Sequence, residues 1–151
     1  MAPQESMYPL TMEAASTGYG YLLYSVQLKN YHRENKLKVV EASGRLHVFT
    51  DGQLQAIQYQ ETLGEELLIQ GAPGKETIEL DVLVENLGRV NYGFKLNGPT
   101  QAKGIRGGIM QDIHFHQGYR HYPLTLSAEQ LQAIDYQAGK NPTHPSFYQT
   151  T

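Results

Sequence analysis

Leu80-Asp81-Val82-Leu83-Val84-Glu85-Asn86-Leu87-Gly88-Arg89-Val90-Asn91-Tyr92-Gly93 is the stretch around which the chain is organised. From Thr77 to Glu85 the sequence alternates. Ile78, Leu80, Val82 and Val84 fall on one face, and Glu79, Asp81, Leu83 and Glu85 on the other, which is the pattern of a strand with one buried side. Asn86 suits a turn, and Gly88 tolerates the positive φ that a tight reversal can need. Arg89, Asn91, Tyr92 and Gly93 then follow closely, so a rigid strand holds a loop rich in polar and aromatic groups. Function tends to sit on such loops.

Working outward, the flanking sequence repeats the strand signal. Tyr21 to Leu28 puts Leu22, Tyr24, Val26 and Leu28 on one face. Leu37 to Ala42 and Arg45 to Thr50 form two strands around Ser43-Gly44. Asp51-Gly52 is a hairpin signal, because this pair fits the turn that matches the twist of the flanking strands. Gln53 to Tyr59 returns, Leu67 to Ile69 is shorter, and Ile109 to Phe115 is read as one further strand. Ser127 and Gln130 have the spacing of a capping box and open a short helix. Thr11 caps a possible helical turn over Thr11 to Ala15. Short strands with turn signals between them, and one helix near the end, indicate an all-β sandwich or barrel.

The 151 residues suit one domain, with 40% hydrophobic and 18% charged residues, enough for a packed core. A net charge of -3 argues against nucleic-acid and anionic-membrane binding. No apolar run reaches membrane-spanning length, and Met1 to Ser6 lacks the basic end and apolar middle of a signal peptide. The chain has no cysteine, which excludes disulfides, thiol nucleophiles and cysteine-ligated zinc. These features favour a cytoplasmic location.

Val84 to Gly93 resembles a signature of glycoside hydrolase family 35 β-galactosidases, located in the first all-β domain after their catalytic barrel. Other segments agree in the same order. Tyr19 to Tyr24 resembles the first strand of that domain, and Leu46 to Gly52 its hairpin. Lys103-Gly104-Ile105 resembles the turn after the signature, and Pro145 to Tyr148 the lead into the next β domain. The match runs from about residue 8 to 149. The resemblance implies a jelly-roll sandwich similar to galactose-binding domains. It divides the chain into a lead-in from the catalytic domain (1–17), the sandwich (18–118), a tail with a short helix and linker (119–144), and the start of the next β domain (145–151). It also implies a parent enzyme that cleaves terminal β-galactosides with retention, using two carboxylates about 5 Å apart. Those glutamates sit on a barrel of about 250 residues, for which this chain has no room, so the chain alone is expected to be non-catalytic. The implied partners are the catalytic barrel and the second β domain of the same polypeptide, with the galactoside at a shared cleft. No cofactor is implied. Tyr92, with Asn91 beside it, is the residue expected to face that cleft.

Each candidate also has a plainer role. Tyr92 can line a sugar pocket with its ring or pack between domains. Arg89 is expected to tie loop carbonyls or a carboxylate such as Glu85. His114 and His116, two apart on a strand, could reach one metal ion. Gly108 lies six residues before His114, as in a cupin motif, but Arg120 and His121 stand where that motif needs a glutamate. Solvated histidines are therefore the default. Glu79, Asp81 and Glu85 share a strand face and are read as solvated charge, as are Glu61, Glu65 and Glu66. Tyr119, Tyr122 and Tyr136 are expected to pack the tail onto the sandwich. A stand-alone carbohydrate-binding module is the main alternative, weakened by the absence of tryptophan, and a metal-dependent cupin-like jelly roll is the lesser one.

Overall fold

The computed structural model describes residues 2–17, 20–88, 102–124 and 126–133. It shows an all-β jelly-roll sandwich. The strands are β1 (Gln4–Ser6), β2 (Tyr21–Lys29), β3 (Asn35–Ser43), β4 (Arg45–Thr50), β5 (Gln53–Gln58), β6 (Leu67–Ile69), β7 (Thr77–Glu85), β8 (Gly104–Gln111), β9 (His114–Phe115) and β10 (Tyr119–Leu124), followed by helix α1 (Ala128–Gln132). The larger sheet has six strands in the order β1-β10-β2-β7-β4-β5, and the smaller has four in the order β6-β3-β8-β9. Every strand pairing among the described residues is antiparallel, and the chain passes repeatedly from one sheet to the other.

β7 lies inside the larger sheet, between β2 and β4. Its alternation decides its placement: Ile78, Leu80, Val82 and Val84 are all fully buried. Each such side chain contributes about 1.5–3 kcal/mol when removed from water. Leu22, Tyr24, Val26 and Leu28 of β2 meet them from the next strand, and Leu37, Val39, Ile105 and Ile109 close the core from the smaller sheet. The β4–β5 hairpin turns at Asp51 and Gly52, whose φ values of 47° and 79° are the paired positive angles of the expected turn. Ser127 Oγ accepts the Gln130 N–H, so Ser127 caps α1 as expected, while Gln130 Oε1 reaches back past Ser127 to accept the Leu126 N–H instead of closing a capping box.

Three readings change. The run from Ile109 to Phe115 is not one strand. β8 ends at Gln111, and Asp112 turns the chain at φ 53° before β9. Asp112 is held there because its carboxylate accepts the Lys36 N–H at 3.0 Å and hydrogen bonds from Arg33 and Asn35. The sandwich also does not stop at Gly118: Tyr119–Leu124 is a strand inside the larger sheet, beside β2. Its inward residues, Tyr119 and His121, carry polar atoms and so gave no apolar alternation to read. Pro123 fits there because β1 pairs only with Tyr119, Arg120 and His121, leaving no ladder partner on that side. Finally, the N-terminal segment is part of the sandwich. β1 pairs with β10, Met12 and Ala15 of the following turn are buried in the core, and Met12 N–H bonds the Lys103 carbonyl at 2.8 Å.

Candidate functional site

The strand that launches the signature loop is anchored on both sides. At its end, Glu85 lies opposite Tyr21 of β2 and Arg45 of β4. Arg45 reaches the Glu85 carboxylate at 3.3 Å and also lies over the Tyr59 ring at 5.2 Å. Both ionic side chains are partly exposed, so this pair contributes at most about 1 kcal/mol and serves chiefly to fix geometry. Burial pushes the Tyr21 hydroxyl pKa up, and the neighbouring Glu85 charge adds to that effect. Asn86 and Gly88, the last described residues here, carry the local features that the sequence reading gave them. Asn86 N–H bonds the Gly20 carbonyl at 3.1 Å, Asn86 Oδ1 accepts the Gly88 N–H at 3.0 Å, and Gly88 adopts φ 104°. Arg89, Asn91 and Tyr92 lie outside the described residues, as do Tyr19, Tyr136 and residues 139–151. The structure thus describes the end of the strand that precedes the expected cleft residues in sequence.

The acidic candidates are dispersed. Glu79 is exposed, and Asp81 and Glu85 are half-buried on the outer face of the larger sheet. Glu85 is committed to Arg45. Glu61, Glu65 and Glu66 are exposed, with Glu66 opposite Lys36 at 3.7 Å.

The two histidines do not share a strand. His114 belongs to β9 and is exposed, whereas His116 lies beyond it, with Nε2 at 3.2 Å from the Gly118 carbonyl and its ring edge-on to Tyr119 at 5.8 Å. Burial holds the His116 pKa below the ordinary histidine value. Among the described residues, no group of three or more His, Cys, Asp or Glu side chains could hold a metal ion.

A shallow groove of about 740 Å³ runs along β1, β2 and the segment before β10. Glu5, Met7, Gln27, His116 and Arg120 are among its lining residues, and Arg120 donates to Ser25 Oγ at 3.3 Å. Sequence reasoning did not find this groove, because it depends on β1 and β10 joining the larger sheet.

It also missed a polar cluster inside the sandwich. Tyr24 donates its hydroxyl to the Leu10 carbonyl and accepts the Ile105 N–H at 3.0 Å. Tyr119 donates to the His116 carbonyl and accepts the Ile109 N–H at 3.0 Å. Both tyrosines therefore reach from the larger sheet to the backbone of β8 in the smaller one. Burial raises both hydroxyl pKa values, that of Tyr119 as well as that of Tyr24, so both stay protonated as donors. An inward-facing tyrosine within an apolar alternation is the available signal, since its polar tip must find a buried partner.

The matched family is described as the first all-β domain of β-galactosidase, and the match covers residues 9–125. The chain belongs to this family. Its relatives agree. Beta-galactosidase 1 of Dictyostelium discoideum is 29% identical over 165 aligned positions, covering 95% of this chain and 23% of the relative. The Mus musculus Beta-galactosidase is 36% identical over 130 positions, covering 83% and 19% respectively. The Homo sapiens Beta-galactosidase is 33% identical over 125 positions, covering 81% and 17%. The chain therefore spans no more than 23% of the length of these relatives, which carry it as one part of a longer polypeptide. The family match takes in β2 to β10, which are the strands that build both sheets apart from β1.

Proposed function

We propose that this chain is a non-catalytic sandwich domain of an enzyme that hydrolyses terminal β-galactosides. In that role it packs on the catalytic barrel and shapes the rim of the active site with the loop that follows β7. The observation that carries this reading is the anchored end of β7. A strand with one face fully buried, a paired Glu85 and an Asn86 side chain hydrogen-bonded to the Gly88 N–H give the segment containing Asn91 and Tyr92 a rigid base. A positioning loop needs such a base, because small displacements of a binding group are costly. Exposed apolar side chains support the expectation of neighbouring domains: Met7 is 58% exposed, Tyr8 64% and Phe115 55%.

The test uses a chromogenic β-galactoside. The chain alone should be inactive, while a polypeptide carrying it together with a catalytic barrel should be active. In that longer protein, Tyr92→Ala should lower kcat/KM by about 10–100-fold, the equivalent of roughly 1.4–2.8 kcal/mol, with an unchanged melting temperature. Turnover by the isolated chain would overturn the non-catalytic assignment. Unchanged kinetics in Tyr92→Ala would remove that residue from the cleft.

A further inference from the structure

His121 is fully buried, on β10, opposite Gln4 of β1. Both of its ring nitrogens are committed to the same distant segment. Nε2 lies 2.9 Å from the Leu10 amide nitrogen, and Nδ1 lies 2.8 Å from the Gln4 carbonyl. A backbone N–H can only donate, so Nε2 must present its lone pair to Leu10. The proton therefore resides on Nδ1 and is donated to Gln4. This geometry requires a neutral ring in one tautomer. Leu10 is held at its other end too, since its carbonyl accepts the Tyr24 hydroxyl, which in turn accepts the Ile105 N–H.

A proton added to Nε2 would set two donors against each other. It would also place a charge among aromatic rings. Tyr24 stands edge-on to the imidazole at 5.1 Å from β2, and Tyr119 lies 6.2 Å away on β10, itself packed on His116. From the N-terminal segment, only the main chain of Gln4 and Leu10 is bonded to the ring among the described residues. The charged neighbours in sequence, Glu5 and Arg120, line the groove instead. The Glu13 carboxylate, in the turn after Leu10, is engaged by the Lys103 N–H at 3.0 and 3.1 Å. Among these neighbours no carboxylate meets the ring to hold an imidazolium in place.

We propose that His121 is a proton-operated latch: the neutral ring fastens residues 4–10 to the larger sheet, and its protonation releases that segment while the rest of the sandwich stays folded. Burial acts in the same direction, holding the ring's pKa below its ordinary value. The sign follows. Above the ordinary histidine pKa of about 6.5 the latch has its full strength, and it weakens as pH falls from there toward the folded-state value. The segment it controls is the edge of the larger sheet formed by β1 and the chain through Leu10, so the device would set how firmly that edge is held to β10.

The test is nuclear magnetic resonance on the 151-residue chain between about pH 7.5 and pH 5. Imidazole ¹⁵N shifts should show the Nδ1–H tautomer at the upper end. The amide protection factor of Leu10, corrected for the intrinsic pH dependence of exchange, should fall by up to about tenfold per pH unit below about pH 6.5. Val82 in β7 should keep its protection throughout. His121→Gln, whose amide can both accept and donate, should make Leu10 protection independent of pH, whereas His116→Gln should leave the wild-type profile intact. The proposal is overturned if the ring carries its proton on Nε2. It is equally overturned if Leu10 and Val82 lose protection together, or if the pH dependence persists in His121→Gln. Should that variant fail to fold, the wild-type tautomer and the Leu10–Val82 comparison still decide.

Discussion

A double-mutant cycle between Gly104 and Tyr24 examines how the two sheets are held at their distance. Gly104 adopts φ 95°, and a Cβ added there would lie 2.4 Å from the Tyr24 hydroxyl oxygen. That oxygen serves the Leu10 carbonyl and the Ile105 N–H. Tyr24→Phe leaves both backbone groups without this partner, at a cost of about 2–4 kcal/mol. Gly104→Ala strains the backbone by about 1–2 kcal/mol and pushes the hydroxyl away, forfeiting the same two bonds, for about 3–6 kcal/mol together. In the double variant the hydroxyl is lost only once, and the added methyl occupies the space it vacated. The double variant should therefore be more stable than the sum of the singles by about 2–4 kcal/mol. Urea unfolding followed by far-ultraviolet circular dichroism gives the four free energies. Additivity within about 0.5 kcal/mol would refute the reasoning, because it would mean that residue 104 and the hydroxyl do not compete for space.

Asp112 offers an acid-limb test. The Lys36 N–H, followed by the Arg33 guanidinium and Asn35 amide, holds its carboxyl below the ordinary value. Its contribution is complete above about pH 4 and is lost as pH falls through the folded-state pKa, so Asp112→Asn should flatten stability against pH in that range and leave the slope near neutrality unchanged. A wild-type acid limb in the variant, measured by urea unfolding at several pH values, would count against this assignment. At α1, Ser127→Ala should cost about 0.5–1 kcal/mol of local stability by removing the Oγ acceptor of Gln130 N–H. Because α1 buries no residue, amide exchange in α1 should quicken while the global unfolding midpoint stays put; an equal shift of both would show that the cap supports the sandwich itself.

The parts of the fold legible in the sequence are those where one physical signal dominates. Thr77–Glu85 is a strand over its whole expected length because its alternating apolar face has only one place to go. Asp51-Gly52 turns where expected, and Asn86 and Gly88 take the side-chain hydrogen bond and positive φ expected of them, because local backbone preferences decide those positions. The misread stretches depend on partners far away. Asp112 breaks an apparently continuous strand through bonds to Arg33, Asn35 and Lys36. β1 is three residues long with no apolar alternation, and it exists by virtue of β10, more than a hundred positions later. The site was legible to a similar degree. The base of the signature loop could be read from Glu85, Asn86 and Gly88, but the identity of Arg45 as the partner of Glu85 required the register of β4 on β7.

The missed polar cluster shares one cause with the missed boundaries. Tyr24, Tyr119 and His121 occupy inward positions that an apolar count passes over, yet each satisfies backbone groups from a different part of the chain. Burying these polar atoms would be costly without those partners, so their presence inside the sandwich specifies where β8 and the N-terminal segment must lie. Apolar alternation determines which face of each strand is buried. The two tyrosines and the histidine determine which strands and segments meet across the core. The larger sheet that carries β7 and its loop is thereby fixed against β8 at Ile105 and Ile109 and against the N-terminal segment at Gln4 and Leu10. The role proposed for the segment after β7 requires a platform constrained in this way, because freedom between the sheets would be passed on to whatever the end of β7 carries.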